Sequence, residues 1–267
     1  MTHTSNDTAR KTCEVDGIRM HYRTDGERSK PCLVLSNSLG TDLSMWDAQA
    51  AALAGDFFVV RYDTRGHGQS ASGSAPFGID RLGLDVVALL DHLDIARAAF
   101  CGISMGGLTG QWLGIHQPQR LTQLVLANTA ARIGGAAPWQ LRAEQVRRDG
   151  MAAVAGSAAA RWFTPQFIER APDTVARLVG TLRGQDAGGY AACCDMLAQA
   201  DLHGCVGMIA VPTLIIAGEH DPVTTVDDAR WLQQQIACAR LASLPASHIS
   251  NIEAADLFTA QLRTFLV

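Results

Sequence analysis

Residues 98–109 constrain the fold of this chain more than any other stretch. Ala98–Gly102 is a short apolar run with the character of a strand, Gly102-Ile103-Ser104-Met105-Gly106 fits the pattern G-x-S-x-G, and Leu108–Ile115 continues as a helix. A serine on so sharp a strand-to-helix turn sits in strained backbone, and glycines at 102 and 106 let strand and helix approach closely. The geometry leaves the Ser104 hydroxyl exposed. It also sets the N–H of Met105 in the first turn of a helix, where unpaired amides and the helix dipole favour a developing negative charge. The five-residue pattern is common by itself. A strand before it, a helix after it and a third glycine at 107 turn it into the signature of a nucleophile.

With 267 residues, 48% of them hydrophobic and only 18% charged, the chain can bury a substantial core as one large α/β domain, with or without an insertion. The net charge of −4 argues against nucleic acid as a partner and means that an anionic ligand needs local cations. The seven cysteines are scattered with no C-x-x-C pair, so neither a zinc site nor a disulfide framework is suggested. The segment Met1–Lys11 is polar and lacks the apolar run of a signal peptide, and no apolar stretch reaches the ~18 residues of a membrane span. A cytoplasmic location, with no membrane partner, is the expectation.

Strand-like runs alternate with helical ones along most of the chain. Glu14–Arg23, Leu33–Ser36, Phe57–Tyr62, Ala98–Gly102 and Leu121–Asn128 read as strands, with helices expected over Asp42–Ala54, Ile79–Leu93 and after Ser104. Such alternation means a mostly parallel sheet with crossover helices. The rhythm breaks from Arg132 to Met208, which is rich in alanine and glycine. Helical patches occur there around Trp139–Arg148, Met151–Phe163 and Gly189–Ala200, and no run looks like a strand. An insertion of this kind would lie over the carboxyl ends of the strands, where open α/β sheets bind ligands. Residues 1–131 and 209–267 then form the core and 132–208 a helical cap. Val211–Ala217 and Arg240–Leu244 resume the sheet, with helices at Thr225–Ile236 and Ile252–Leu266.

A serine hydroxyl needs a base to take its proton, and the base needs an acid to orient it. Both occur downstream, each in the loop after a strand: Asp221 in Gly218-Glu219-His220-Asp221-Pro222 and His248 in Pro245-Ala246-Ser247-His248. The order Ser, Asp, His and the three strand-end positions make Ser104, Asp221 and His248 the candidate triad. Glu219 is a rival acid and His220 a rival base, while His67 is read as a turn histidine bonded to backbone. A second donor for an oxyanion should come from the loop after Leu33–Ser36. Position assigns it to the N–H of Leu39, beside that of Met105.

Asp63–Ser70, Gly102–Gly107, Gly218–Pro222 and His248 together resemble the α/β-hydrolase superfamily. More narrowly, Ser36–Thr41, Asn128–Ile133, Arg161–Pro165 and Gly189–Asp195 are similar to the 3-oxoadipate enol-lactonases of bacterial protocatechuate degradation. The chain departs from the superfamily's commoner pattern at Asn37-Ser38, where many members carry His-Gly, and at Ser247, where many carry glycine. The resemblance implies an eight-stranded, mostly parallel sheet with a helical cap after the sixth strand. It also implies ring opening of a small lactone bearing a carboxylate, with no metal or cofactor.

A carboxylate partner calls for arginine, whose planar fork binds it bidentately. Arg132, entering the cap, is the first candidate, though an arginine at a hinge is as readily paired on the surface. Trp139, Trp162 and Tyr190 could line an apolar pocket or fill the cap's own core. A haloperoxidase-like perhydrolase, a general carboxylesterase and a receptor that binds without turnover share the same motif and stay open. A homo-oligomer is compatible with the sequence.

Overall fold

The run from Glu14 to Arg23, expected as one strand, is the centre of a hairpin. In the computed structural model, which describes residues 11–267, strand β1 (Lys11–Val15) turns at Asp16-Gly17 into β2 (Ile18–Asp25). Both turn residues have positive φ, 46° and 73°, which an Asp-Gly pair supplies at little cost and which matches the twist of the two strands. Residues 1–10, the polar stretch that argues against a signal peptide, lie outside the described residues.

Strand β3 (Cys32–Ser36) is buried along its whole length and leads into a polar loop. The helix expected at Asp42–Ala54 begins as a tight turn, where Asp42 accepts from the Ser44 N–H at 2.9 Å, and continues as α1 (Asp47–Leu53). Strand β4 (Phe58–Tyr62) follows. Helix α2 (Ile79–His92) then buries Leu82, Val86, Leu89 and Leu90, the stripe its periodicity announces. Strand β5 (Ala98–Ile103), helix α3 (Met105–His116) and strand β6 (Leu121–Ala127) come next, and α3 is buried on nearly every side.

The chain then leaves the sheet for six α-helices: α4 (Ala136–Asp149), α5 (Ala152–Ala155), α6 (Ala158–Trp162), α7 (Pro165–Arg170), α8 (Pro172–Arg183) and α9 (Ala187–Gln199). No strand occurs among the described residues of this stretch. Helices α7 and α8 fall outside the helical patches expected from sequence. Each starts on a proline, which at the first helical position replaces an N–H that has no partner there. Thr164 caps α7 by accepting from the Phe167 N–H at 3.3 Å.

Strand β7 (Thr213–Gly218) rejoins the sheet. Helix α10 (Val226–Gln235) starts with a reciprocal Thr225/Asp228 capping box, and β8 (Ala239–Leu244), α11 (Ser250–Glu253) and α12 (Ala255–Leu266) complete the chain. The eight strands form one sheet in the order β1-β2-β4-β3-β5-β6-β7-β8. Pairing is antiparallel between β1 and β2 and between β2 and β4, and parallel elsewhere. The order reverses at β3 and β5, whose ends meet where Ser36 pairs with Gly102. A crevice outside the carboxyl ends of such a pair is where an open α/β sheet receives a ligand. No helix among the described residues is long and apolar enough to cross a membrane.

Candidate active site

Ser104 stands between β5 and α3 with φ 56° and ψ −115°, a conformation that L-residues rarely hold. The turn is over-determined by its neighbours. The Ser104 N–H donates to the Ala127 carbonyl at 3.0 Å, and the Ser104 carbonyl accepts from the Thr129 hydroxyl at 2.9 Å. A Cβ on Gly102 would lie 2.1 Å from the Gly106 oxygen, and one on Gly106 would lie 2.4 Å from the Ser36 oxygen. Glycine is therefore a steric requirement at both positions. These contacts hold the start of α3 against the end of β3.

The loop after β3 is fixed by buried side-chain hydrogen bonds. Asn37 donates to the Tyr62 carbonyl at 2.8 Å and accepts from the Trp46 indole at 3.0 Å, while Thr41 closes onto the Ser38 carbonyl at 2.8 Å. Asn37, one departure from the superfamily's commoner pattern, is thus a fully buried strut of the loop. The Gly40 N–H donates to His67 Nε2 at 2.9 Å, and His67 Nδ1 faces the Arg65 carbonyl at 3.2 Å. His67 is a turn histidine held by backbone on both sides. Leu39 lines the same cavity as Ser104, and Met105 opens α3 directly beside that serine.

Asp221 and His248 come together from the loops after β7 and β8. His248 Nδ1 lies 2.8 Å from Asp221 Oδ2, with both side chains buried. The other Asp221 oxygen accepts from the N–H groups of Val223 and Thr224 at 2.7 and 3.1 Å, and Oδ2 also accepts from the Thr224 hydroxyl at 2.7 Å. Burial pushes the Asp221 carboxyl up. The nearby His248 charge and the hydrogen bonds from His248, Asn128 and Thr224 outweigh that effect and hold it below the usual carboxylate range. The rivals separate from this pair: Glu219 and His220 are exposed. Among the described residues the His248 ring bonds only to Asp221, which leaves Nε2 for the cavity it shares with Ser104.

That cavity has a volume of about 270 Å³ and joins the sheet to the inserted helices. Ser104, Leu39 and His248 form its floor, and Trp139, Trp162 and Tyr190 line it from the insertion. Burial pushes the Tyr190 phenol up to about 12, so it stays an O–H donor at neutral pH.

Arg132 is not among the lining residues. Its guanidinium lies 3.5 Å from Asp201 in an exposed pair. The arginines that reach the cavity are Arg142, on α4, and Arg161, on α6. Among the described residues neither is paired with a carboxylate. Arg142 rests over the Trp139 ring at 4.7 Å, and Arg161 is pulled below the usual arginine range by burial and then by the Arg142 charge. Both lie in stretches expected to be helical, but only tertiary packing, that of α4 against α9 above all, shows which arginines turn inward.

Strained serine, buried Asp–His pair and sheet order all coincide with one family, and its profile, described as the α/β hydrolase fold, matches residues 31–255. The chain belongs to the α/β-hydrolase family. This hydrolase is 51% identical to 3-oxoadipate enol-lactonase 2 of Acinetobacter baylyi over 247 residues, which cover 92% of each chain. It is 44% identical to 3-oxoadipate enol-lactonase 1 of the same organism, covering 91% of each. Among solved structures, the enol-lactonase from Burkholderia xenovorans superposes with a TM-score of 0.94 at 48% identity, covering 96% of this hydrolase and 99% of that chain.

Proposed function

We propose that this hydrolase opens the ring of 3-oxoadipate enol-lactone to give 3-oxoadipate, with Ser104 as nucleophile, His248 as base and Asp221 as the group that orients it. The observation that carries the reading is one cavity holding Ser104, an Asp221-backed His248 and two arginines that have no carboxylate partner among the described residues. The names of the relatives at 51% and 44% identity support the choice of lactone.

Ser104 Oγ attacks the lactone carbonyl carbon while its proton passes to His248 Nε2. The carbonyl electron pair moves to oxygen, where the N–H groups of Leu39 and Met105 receive it. Collapse breaks the bond from the acyl carbon to the ring oxygen. The leaving group departs as an enolate, a far weaker base than an alkoxide. It takes up the proton that His248 received from Ser104, which leaves the imidazole neutral, and with that proton on carbon the product is a ketone that no longer closes the ring. Water then gives a proton to His248 as it attacks the acyl-enzyme, and the new carboxylate leaves as His248 returns that proton to Ser104 Oγ. Asp221 holds the imidazole in the tautomer with its proton on Nδ1 and steadies the cation that forms.

Arg142 and Arg161 supply the local positive charge that an anionic lactone needs in a chain of net charge −4. Residues 132–208 act as a cap that carries these arginines and the three aromatic side chains to the carboxyl edge of the sheet. The test compares kcat/KM for the enol-lactone with that for a p-nitrophenyl ester of similar size. The reading predicts a preference for the lactone by about 10²-fold or more. Preference for the ester overturns it.

A further inference from the structure

Asn128 is the residue directly after β6, and no step of the reaction uses it. Its backbone is in the left-handed region, φ 42°, and its N–H is pinned to the Ile216 carbonyl of β7 at 2.8 Å. The side chain is buried, and each hydrogen bond it makes goes to the segments that carry the Asp–His pair. Nδ2 donates to Asp221 Oδ2 at 3.0 Å and to the Ser247 carbonyl at 3.1 Å, and Oδ1 accepts from the Ser250 hydroxyl at 2.5 Å. Ser247 and Ser250 flank His248 on either side. A Cβ on Gly218 would lie 2.8 Å from Asn128 Nδ2, so the strand end is kept bare where the amide passes.

We infer that Asn128 is a positioning residue, a single amide that fixes the Asp221 carboxylate and both flanks of His248 relative to one another. The inference rests on the triad reading above. Asp221 Oδ2 receives donors from His248, Thr224 and Asn128, and their directions leave the carboxylate one orientation toward Nδ1. The two bonds to the histidine loop prevent the ring from drifting as that carboxylate is held. Such a node acts on kcat more than on KM, because it touches no part of the cavity.

The groups that face His248 from every side are few. Asp221 lies behind it, Arg142, Arg161 and Tyr190 share its cavity, and Glu253 reaches its loop through the Ser247 N–H at 2.8 Å. A substitution at 128 that adds no charge leaves all of these in place, so a change in its pH profile reports on the lost amide.

Asn128→Asp, nearly isosteric, and Asn128→Leu, which removes every polar contact, are to be assayed for kcat, KM and the pH dependence of kcat/KM on any ester or lactone the enzyme turns over. Asn128→Asp should lower kcat about tenfold or more with KM within about twofold. The carboxyl that Asn128→Asp introduces beside Asp221, across the 3.0 Å that the amide now spans, shares a proton with it and adds a titrating group of its own, so the pH readout is taken from Asn128→Leu. Loss of a donor from Asp221 Oδ2 should move the acid limb of that profile to higher pH by about half a unit or more. An acid limb that stays in place in Asn128→Leu overturns the inference whatever happens to kcat, because a purely structural role lowers the rate without moving it. Full activity of Ser104→Ala, measured alongside, would instead remove the triad reading.

Discussion

The Gly40 N–H donates to His67 Nε2 at 2.9 Å, so the loop that carries Leu39 hangs on a neutral histidine. Burial, working against the Arg65 carbonyl and the charges of Asp63, Asp186 and Asp42, holds His67 below the usual histidine range. Protonation would set an N–H against an N–H. The unfolded chain binds that proton below about pH 6.5 while the native chain refuses it, so stability falls as pH drops through that value and is level above it. His67→Gln, whose amide oxygen can still accept from Gly40, should flatten the slope. Urea unfolding of both proteins across about pH 5 to 8 checks this, and equal slopes would remove His67 as the source.

Substrate charge should be read by the two cavity arginines. Arg142→Ala and Arg161→Ala are each expected to raise KM about tenfold or more for a lactone bearing a carboxylate, and less than about twofold for a neutral one. Arg132→Ala should leave both values within about twofold, because its guanidinium pairs with Asp201 on the surface. Steady-state kinetics on the matched pair of substrates decides the matter.

The serine turn should be sterically brittle. Gly102→Ala places a methyl 2.1 Å from the Gly106 oxygen, a backbone atom that cannot step aside, and should cost about 3 kcal/mol or more. Gly156→Ala makes a control in the inserted helices. It has φ −62° and nothing within 4 Å of the added carbon, and it should stabilise by about 0.4–1 kcal/mol through the unfolded chain. Denaturant midpoints for the two variants should move in opposite directions.

Local chemistry made the centre of the fold legible in the sequence. Glycines at 102 and 106 are there because strand and helix touch, and Gly107 because the Thr129 side chain fills the space beside it. Asp221 and His248 could be placed because each follows a β-rich run. The hairpin at Asp16-Gly17 was hidden inside an alternation that continues on both sides of the turn. Helix α8 does carry start signals, Pro172 at its first position and Asp173 in its first turn, but they lie outside the patches that read as helical. Asn128 and Arg161 fall in segments that resemble the enol-lactonases, but nothing local to them or to Arg142 says where the side chain turns. Which side of a cap helix faces the sheet, and which amide meets a carboxylate 93 positions away, are set by tertiary packing.

The central claim is that Ser104 forms the acyl-enzyme on the pathway from enol-lactone to open acid. Its most direct test is kcat/KM of purified, folded Ser104→Ala with 3-oxoadipate enol-lactone. A fall of about 10³-fold or more is predicted, whereas turnover within tenfold of the wild type would contradict the account.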